Sequence, residues 1–216
     1  MLKILGRSSS INVRKVLWLC VEIGIPFEQE QWGSEFRSTD APEFLELNPN
    51  ALVPVIRDGD FVLWESNAIL QYAADKFGKS AYYPTDLKTR ADINRWLLWE
   101  SSSWFPSCYA YLVENCVKPL LNAEPDAAVL EAQAANFHKL AGILDSRLAK
   151  SPWIAGAGPT IADIAIAAPM HLHALQKLPL DEHPNLKRWM TDRVEKLPCW
   201  EKTWVGPGFT LDRAAA

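Results

Sequence analysis

The sequence predicts an α/β domain over residues 1–79 followed by an all-α, helical domain over residues 87–216. Three observations carry this expectation. Short apolar runs alternate with stretches of helical period in the first part. Two β-branched and aromatic runs flank Asp58-Gly59, the best hairpin signal in the chain. Beyond Gly78–Asp86 only the helical period persists, which sets the expected boundary.

Leu2–Leu5 is apolar and long enough for a buried strand. The hydroxyl-rich turn Gly6-Arg7-Ser8-Ser9-Ser10 follows it. Val13, Val16, Leu17, Cys20 and Val21 then make one apolar helix face, and Gly24 with Pro26 stops that helix. Pro26–Glu30 reads as a second strand, Trp32–Asp40 as a polar loop, and Pro42–Leu47 as a short helix opened by proline. Leu52–Ile56 and Phe61–Trp64 are the hairpin strands. Pro54 belongs at an edge or strand start, with a cis bond expected before it. Glu65-Ser66 opens a helix that Gly78 ends. The later helices are expected at Leu87–Val117 (strained or broken near Pro106), Asp126–Ala149, Ile161–Leu178 and Pro184–Lys196. Thr160-Ile161-Ala162-Asp163 is a capping-box start with aspartate in place of glutamate, and Ala214–Ala216 read as a frayed tail.

With 49% hydrophobic and 22% charged residues, the composition is that of a soluble globular chain. The net charge of −4, with no basic cluster, argues against nucleic-acid and anionic-membrane binding. The N-terminus lacks a signal peptide's apolar stretch and no run approaches a membrane span, so a cytoplasmic protein is expected. Cys20, Cys108, Cys116 and Cys199 form no C-x-x-C pair, which points away from a zinc site and a dithiol redox motif and suits a reducing compartment. The ten tryptophans fit an aromatic core or an apolar small-molecule pocket equally well.

Three features would converge on such an α/β layer. Ser10 sits at a strand end where the first helix begins, Val53-Pro54 at the start of the third strand, and Glu65-Ser66 at the start of the next helix. Singly, each has a simpler reading as a helix cap or a strand edge. Together they offer a hydroxyl, a peptide edge, a carboxylate, and a second hydroxyl with helix N–H groups. That set complements an extended peptide bearing a thiol, an amine and a carboxylate.

These stretches resemble the cytosolic glutathione transferases over nearly the whole chain. The matching segments are Ser10–Lys15, Asn48–Val55, Asp58-Gly59-Asp60, Trp64–Ile69 and Pro159–Ile164. The Ser-x-Asn opening is most similar to the serine-using branch: phi, theta and related bacterial classes. The resemblance implies a thioredoxin-like N-terminal domain, a helical C-terminal domain forming a pocket for an electrophile, and a homodimer. It also implies glutathione as co-substrate, with no metal, and a role in detoxification. By position, Ser10 takes the thiol, Val53 the cysteinyl backbone, and Glu65 with Ser66 the γ-glutamyl end. Ser9, Arg37, Asn50, Leu52 and Pro54 complete the implied glutathione contacts. Ser8, Ser9 and Asn12 compete with Ser10 for the thiol, Asn12 as a second catalytic candidate.

A free thiol has a pKa of about 8.5. A hydrogen bond to its charged form, worth about 1.5–3 kcal/mol, lowers that by roughly one to two units. Serine then acts as a donor and needs no general base. The sequence departs from the family pattern at Ser38-Thr39-Asp40, where basic residues are common, leaving Arg37 as the nearby cation. It departs again at Ala51 and Leu52. Both bear on how the glycine end of glutathione is held. Trp104, Cys108 and Tyr111, with Phe105 beside them, share a helix face and are candidates for the second-substrate pocket, core or dimer packing being the other reading. His171 and His173 read as structural.

The expected activity is conjugation of glutathione to electrophilic, mostly apolar compounds, with peroxide reduction as a side activity. The competing readings are a glutathione-dependent disulfide reductase, which a cysteine at the Ser10 position would favour, and a non-catalytic ligand-binding or partner-docking protein of the same fold.

Overall fold

The computed structural model describes residues 1–78 and 80–203. The chain divides into two compact units, one of Met1–Tyr83 with the segment from Leu197, the other of Pro84–Lys196.

The first unit is built on a four-stranded sheet of order β2-β1-β3-β4. The strands are β1 (Leu2–Leu5), β2 (Phe27–Glu30), β3 (Val55–Asp58) and β4 (Phe61–Trp64). β1 runs parallel to β2, with helix α1 (Ile11–Ile23) as the crossover, and antiparallel to β3. β3 and β4 are the hairpin, joined by Gly59-Asp60 with φ 62 at Gly59, the sign a two-residue hairpin loop requires. Helix α2 (Pro42–Leu45) brings Phe44 onto Leu5, Val55 and Trp32, with the Trp32 and Phe44 rings 5.0 Å apart. Strand alternation sends Leu2 and Ile4 to the other face. Helix α3 (Ser66–Phe77) packs beside α1.

The sequence gives α1 one apolar face, yet Ile11 and every residue from Val13 to Cys20 are buried, Arg14 and Lys15 included. A helix enclosed all round needs cover on more than one side. Part of that cover is α11 (Pro198–Lys202). Trp200 packs on Trp18 at 5.6 Å between ring centroids, the Cys199 N–H donates to Glu22 Oε1 at 2.7 Å, and Arg14 Nη1 donates to the Thr203 carbonyl at 3.2 Å. The expected helical domain of 87–216 is therefore corrected: its last described stretch belongs with the first unit. The alanine tail lies outside the described residues.

The second unit opens with a helical run: α4 (Leu87–Trp99), a π-helical turn at Glu100–Trp104, α5 (Phe105–Leu112), a second π turn at Val113–Val117, and α6 (Lys118–Leu120). Pro106 and Pro119 each follow a π turn by two residues. A proline lacks the N–H for the α ladder and its ring crowds the carbonyl four residues back. The wider π turn accommodates both, so the expected break near Pro106 is a register change. Helix α7 (Ala127–Leu148) is capped by Asp126. Helix α8 (Ile161–Ala167) starts at a full capping box between Thr160 and Asp163. The expected helix Ile161–Leu178 is interrupted by Pro169, inside a 3-10 turn at Ala168–Met170, before α9 (His173–Gln176). Helix α10 (Pro184–Asp192) has no side-chain cap of its own; Asp145 on α7 accepts from the N–H groups of Asn185 and Leu186 at 2.7 and 3.0 Å.

Candidate active site

The site follows from the strand register. Leu5 pairs with Val55, and Val55 with Trp64, so one row crosses three strands. The residues just beyond that row, Gly6, Pro54 and Glu65, therefore emerge at the same end of the sheet, bringing Ser10, Val53-Pro54 and Glu65-Ser66 into one region. A cleft of about 60 Å³ lies there. Its walls are Asn12 from α1, Asn48, Asn50, Leu52, Val53 and Pro54 from the loop into β3, and Trp64, Glu65 and Ser66 from the β4–α3 turn.

Ser10 is the N-cap of α1, its Oγ accepting from the Val13 N–H at 3.5 Å. That contact uses a lone pair and leaves the hydroxyl proton to donate elsewhere, so capping and thiol binding are compatible. Ser8 is committed to Gln29 on β2 and to Gln31 just after it, its hydroxyl and N–H engaging their side chains. Ser9 is half-buried in the same turn. Neither Ser9 nor Ser10 is a wall of the cleft, whereas Asn12 is.

The loop into β3 is organised by buried Asn48. Its Nδ2 donates to the Leu52 carbonyl at 2.8 Å, and its Oδ1 accepts from the Asn50 N–H at 3.1 Å. Ala51 has φ 55, Leu52 is 65% exposed, and the Val53–Pro54 bond is cis. β3 begins at Val55, so Val53 lies outside its ladder and beside the cleft.

Glu65 turns the chain from β4 into α3 with φ 73, a conformation that non-glycine residues seldom adopt and that recurs at functional sites. Its side chain is exposed. Ser66 is buried at the first turn of α3, its hydroxyl 3.3 Å from Asn12 Oδ1 and 3.5 Å from the Lys15 ammonium.

Arg37 is not part of the cleft wall. Its guanidinium stacks on Trp32 at 3.8 Å and pairs with Glu43 and Glu30 at 3.4 and 3.6 Å.

Trp104, Cys108 and Tyr111 are buried. Trp104 Nε1 donates to the Ile166 carbonyl at 3.0 Å, and the Trp104 and Tyr111 rings pack on Phe137 at 5.3 and 5.2 Å. These are the contacts of core packing, the other reading offered for this face. Phe105 instead stacks on Tyr109, which is exposed. His171 Nδ1 lies 2.9 Å from the Ala168 carbonyl, and His173 pairs with Glu195 at 2.8 Å.

The surroundings of the chain's own thiols disfavour the thiolate. Burial pushes Cys20 up to about 12, and it raises Cys108, Cys116 and Cys199 as well. Among the described residues no group of three or more His, Cys, Asp or Glu could hold a metal ion, and no helix is long and apolar enough to cross a membrane.

Residues 1–75 match the family model of the glutathione S-transferase N-terminal domain, and residues 127–192 that of the C-terminal domain. The chain belongs to the glutathione S-transferase family. Glutathione S-transferase GstB of Escherichia coli is 34% identical over 198 residues, 91% of this chain and 94% of that protein. Glutathione S-transferase 3 of Zea mays is 32% identical, with 94% of this chain and 92% of that protein covered. Among solved structures, a theta-class glutathione S-transferase of Xanthomonas axonopodis pv. citri with glutathione bound superposes with a TM-score of 0.83. It is 31% identical and covers 95% of this chain and 97% of that one.

Within this glutathione S-transferase, three site residues escaped sequence reasoning. Asn48 and Trp64 sit inside the motif stretches but gave no sign of lining the cleft. Lys15 carried a signal: a cation near the positive end of a helix, amid apolar residues, is unfavourable unless something holds it.

Proposed function

We propose that this transferase binds glutathione in the Asn12–Ser66 cleft, with its thiol at Ser10, and adds the thiolate to electrophilic, mostly apolar carbon. The observation that carries the reading is the row Leu5–Val55–Trp64, which gathers Ser10, the Val53 peptide and the Glu65-Ser66 turn at one end of the sheet. The Val53 peptide edge suits the cysteinyl backbone, Glu65 the free ammonium, and Ser66 with the N–H groups of α3 the α-carboxylate.

The thiol proton leaves to solvent, and the Ser10 hydroxyl donates to the resulting thiolate. One such hydrogen bond is worth about 1.5–3 kcal/mol, enough to bring a thiol of pKa about 8.5 to roughly 7. The partial positive charge at the N-terminus of α1 acts in the same direction. The sulfur lone pair then forms the S–C bond. A leaving group departs with its bonding pair, or, in addition to an activated double bond, the far carbon takes up a proton. With serine at position 10 and the cysteine thiols raised by burial, no protein thiolate is set up for exchange, which disfavours a disulfide reductase working through its own cysteine.

Arg37, already held by Glu30, Glu43 and Trp32, is available to the glycine carboxylate only through its remaining donors. Of the residues offered for the second-substrate pocket, Phe105 is the one outside the buried core, stacked on exposed Tyr109. Homodimeric assembly and a cytoplasmic setting belong to the same reading.

Ser10→Ala tests it by pH titration of thiolate absorbance. In the wild type the bound thiol is expected to ionise one to two units below free glutathione. The variant should lose that shift and most turnover while binding glutathione within a few-fold. Unchanged ionisation in Ser10→Ala would move the role to Ser9 or Asn12; no ionisation in the wild type would remove the catalytic reading.

A further inference from the structure

Lys15 is 2% exposed, and its ammonium stands 3.5 Å from both Ser66 Oγ and Asn67 Oδ1, at the opening of α3. An ammonium has donors and no acceptor, so it can meet the Ser66 hydroxyl only on the oxygen side. Even at this long distance, charge–dipole attraction turns the oxygen toward the cation and the proton away from it. In this structure the proton goes to Asn12 Oδ1 at 3.3 Å.

We infer that Lys15 is a positioning residue that fixes Ser66 as a hydrogen-bond donor into the cleft, and so selects a carboxylate over a ligand group that would itself donate. The inference rests on the reading of this cleft as the glutathione site. A hydroxyl is ordinarily ambivalent, giving or accepting with similar ease. With its lone pairs directed to Lys15, Ser66 can exchange Asn12 only for another acceptor. The α-carboxylate of a γ-glutamyl group is such an acceptor, and it also suits the helix N–H groups beside Ser66. Asn12, released when the carboxylate arrives, lies one turn from Lys15 and two residues from Ser10 on the same helix. Occupation of the carboxylate end is thereby linked to the residues at the thiol end.

The test compares glutathione with its analogue lacking the γ-glutamyl α-carboxylate, in the wild type and in Lys15→Met. The wild type is expected to bind the analogue more weakly. Lys15→Met should raise KM and Kd for glutathione about tenfold, the loss of one charge-directed hydrogen bond, with kcat at saturation within about twofold. For the analogue, the substitution should change little. Lys15→Arg, which keeps donors at the site, should recover much of the affinity. Equal losses for both ligands would make Lys15 a packing residue and overturn the inference, as would no loss for either. Should Lys15→Met fail to fold, Lys15→Gln takes its place: its amide can accept as well as donate, so it relaxes the polarity of Ser66 while still bonding to it, and the same ligand-specific loss is expected. Equal wild-type affinity for the two ligands would overturn the placement of glutathione itself, a different failure from that of Lys15.

Discussion

At Gly6 the chain leaves β1 with φ 148, and a Cβ there would lie 2.5 Å from Val13 Cγ2 and 3.0 Å from Val53 Cβ. Both neighbours are branched near the backbone, so neither can move aside without shifting α1 or the loop that carries the cis bond. Gly6→Ala is expected to destabilise the protein by about 2–4 kcal/mol and to weaken glutathione binding together with stability. An unchanged denaturation midpoint in Gly6→Ala would contradict this. At the same scale, Ser10 and Ser66 were legible because helix starts advertise themselves locally. Lys15 and Asn48 were not, since their roles depend on burial and, for Lys15, on a partner 51 positions away.

Thr160 and Asp163 show what one element boundary costs and returns. Asp163 Oδ2 accepts from the Thr160 N–H and hydroxyl at 2.9 and 3.0 Å, and Oδ1 from the Ile154 N–H at 2.8 Å. Burial nevertheless pushes the carboxyl up to about 7, against these donors. A folded-state value above the ordinary 3.8 means that folding takes up a proton between the two values, so this group's contribution to stability falls as pH rises from about 4 through 7. Asp163→Asn should lower Tm at every pH, and the gap to the wild type should narrow between pH 5 and 8; a widening gap would reverse the assignment. The capping box was readable from four residues, as were the hairpin and the short strands, because each is a local pattern. The π turns before Pro106 and Pro119 were hidden because a π turn preserves the helical period on either side of it. The interruption at Pro169 was missed where apolar periodicity outweighed a single proline.

For the molecule as a whole, the main departure from the sequence reading is the return of Leu197–Thr203 to the first unit. Glu22 is its anchor, accepting from the Cys199 N–H through Oε1 and from the Tyr82 hydroxyl through Oε2, each at 2.7 Å. Glu22→Ala removes both bonds and should lower stability by about 2 kcal/mol or more, and it should speed proteolytic release of the C-terminal segment. Equal cleavage rates in Glu22→Ala and the wild type would count against that role. Nothing in the local pattern of Pro198–Lys202 announces this docking; the need for it arises from α1, whose buried faces only the folded chain reveals. The arrangement also bears on the order of events at the ribosome. The strands and helices that shape the Asn12–Ser66 cleft are synthesised before the second unit, yet a piece of their cover emerges only with Cys199, 177 positions after its partner Glu22. Domain-by-domain folding during synthesis would leave Trp18 without this cover until Trp200 has emerged. The nascent protein must therefore tolerate, or have shielded for it, an apolar helix that is finished long before its cover exists.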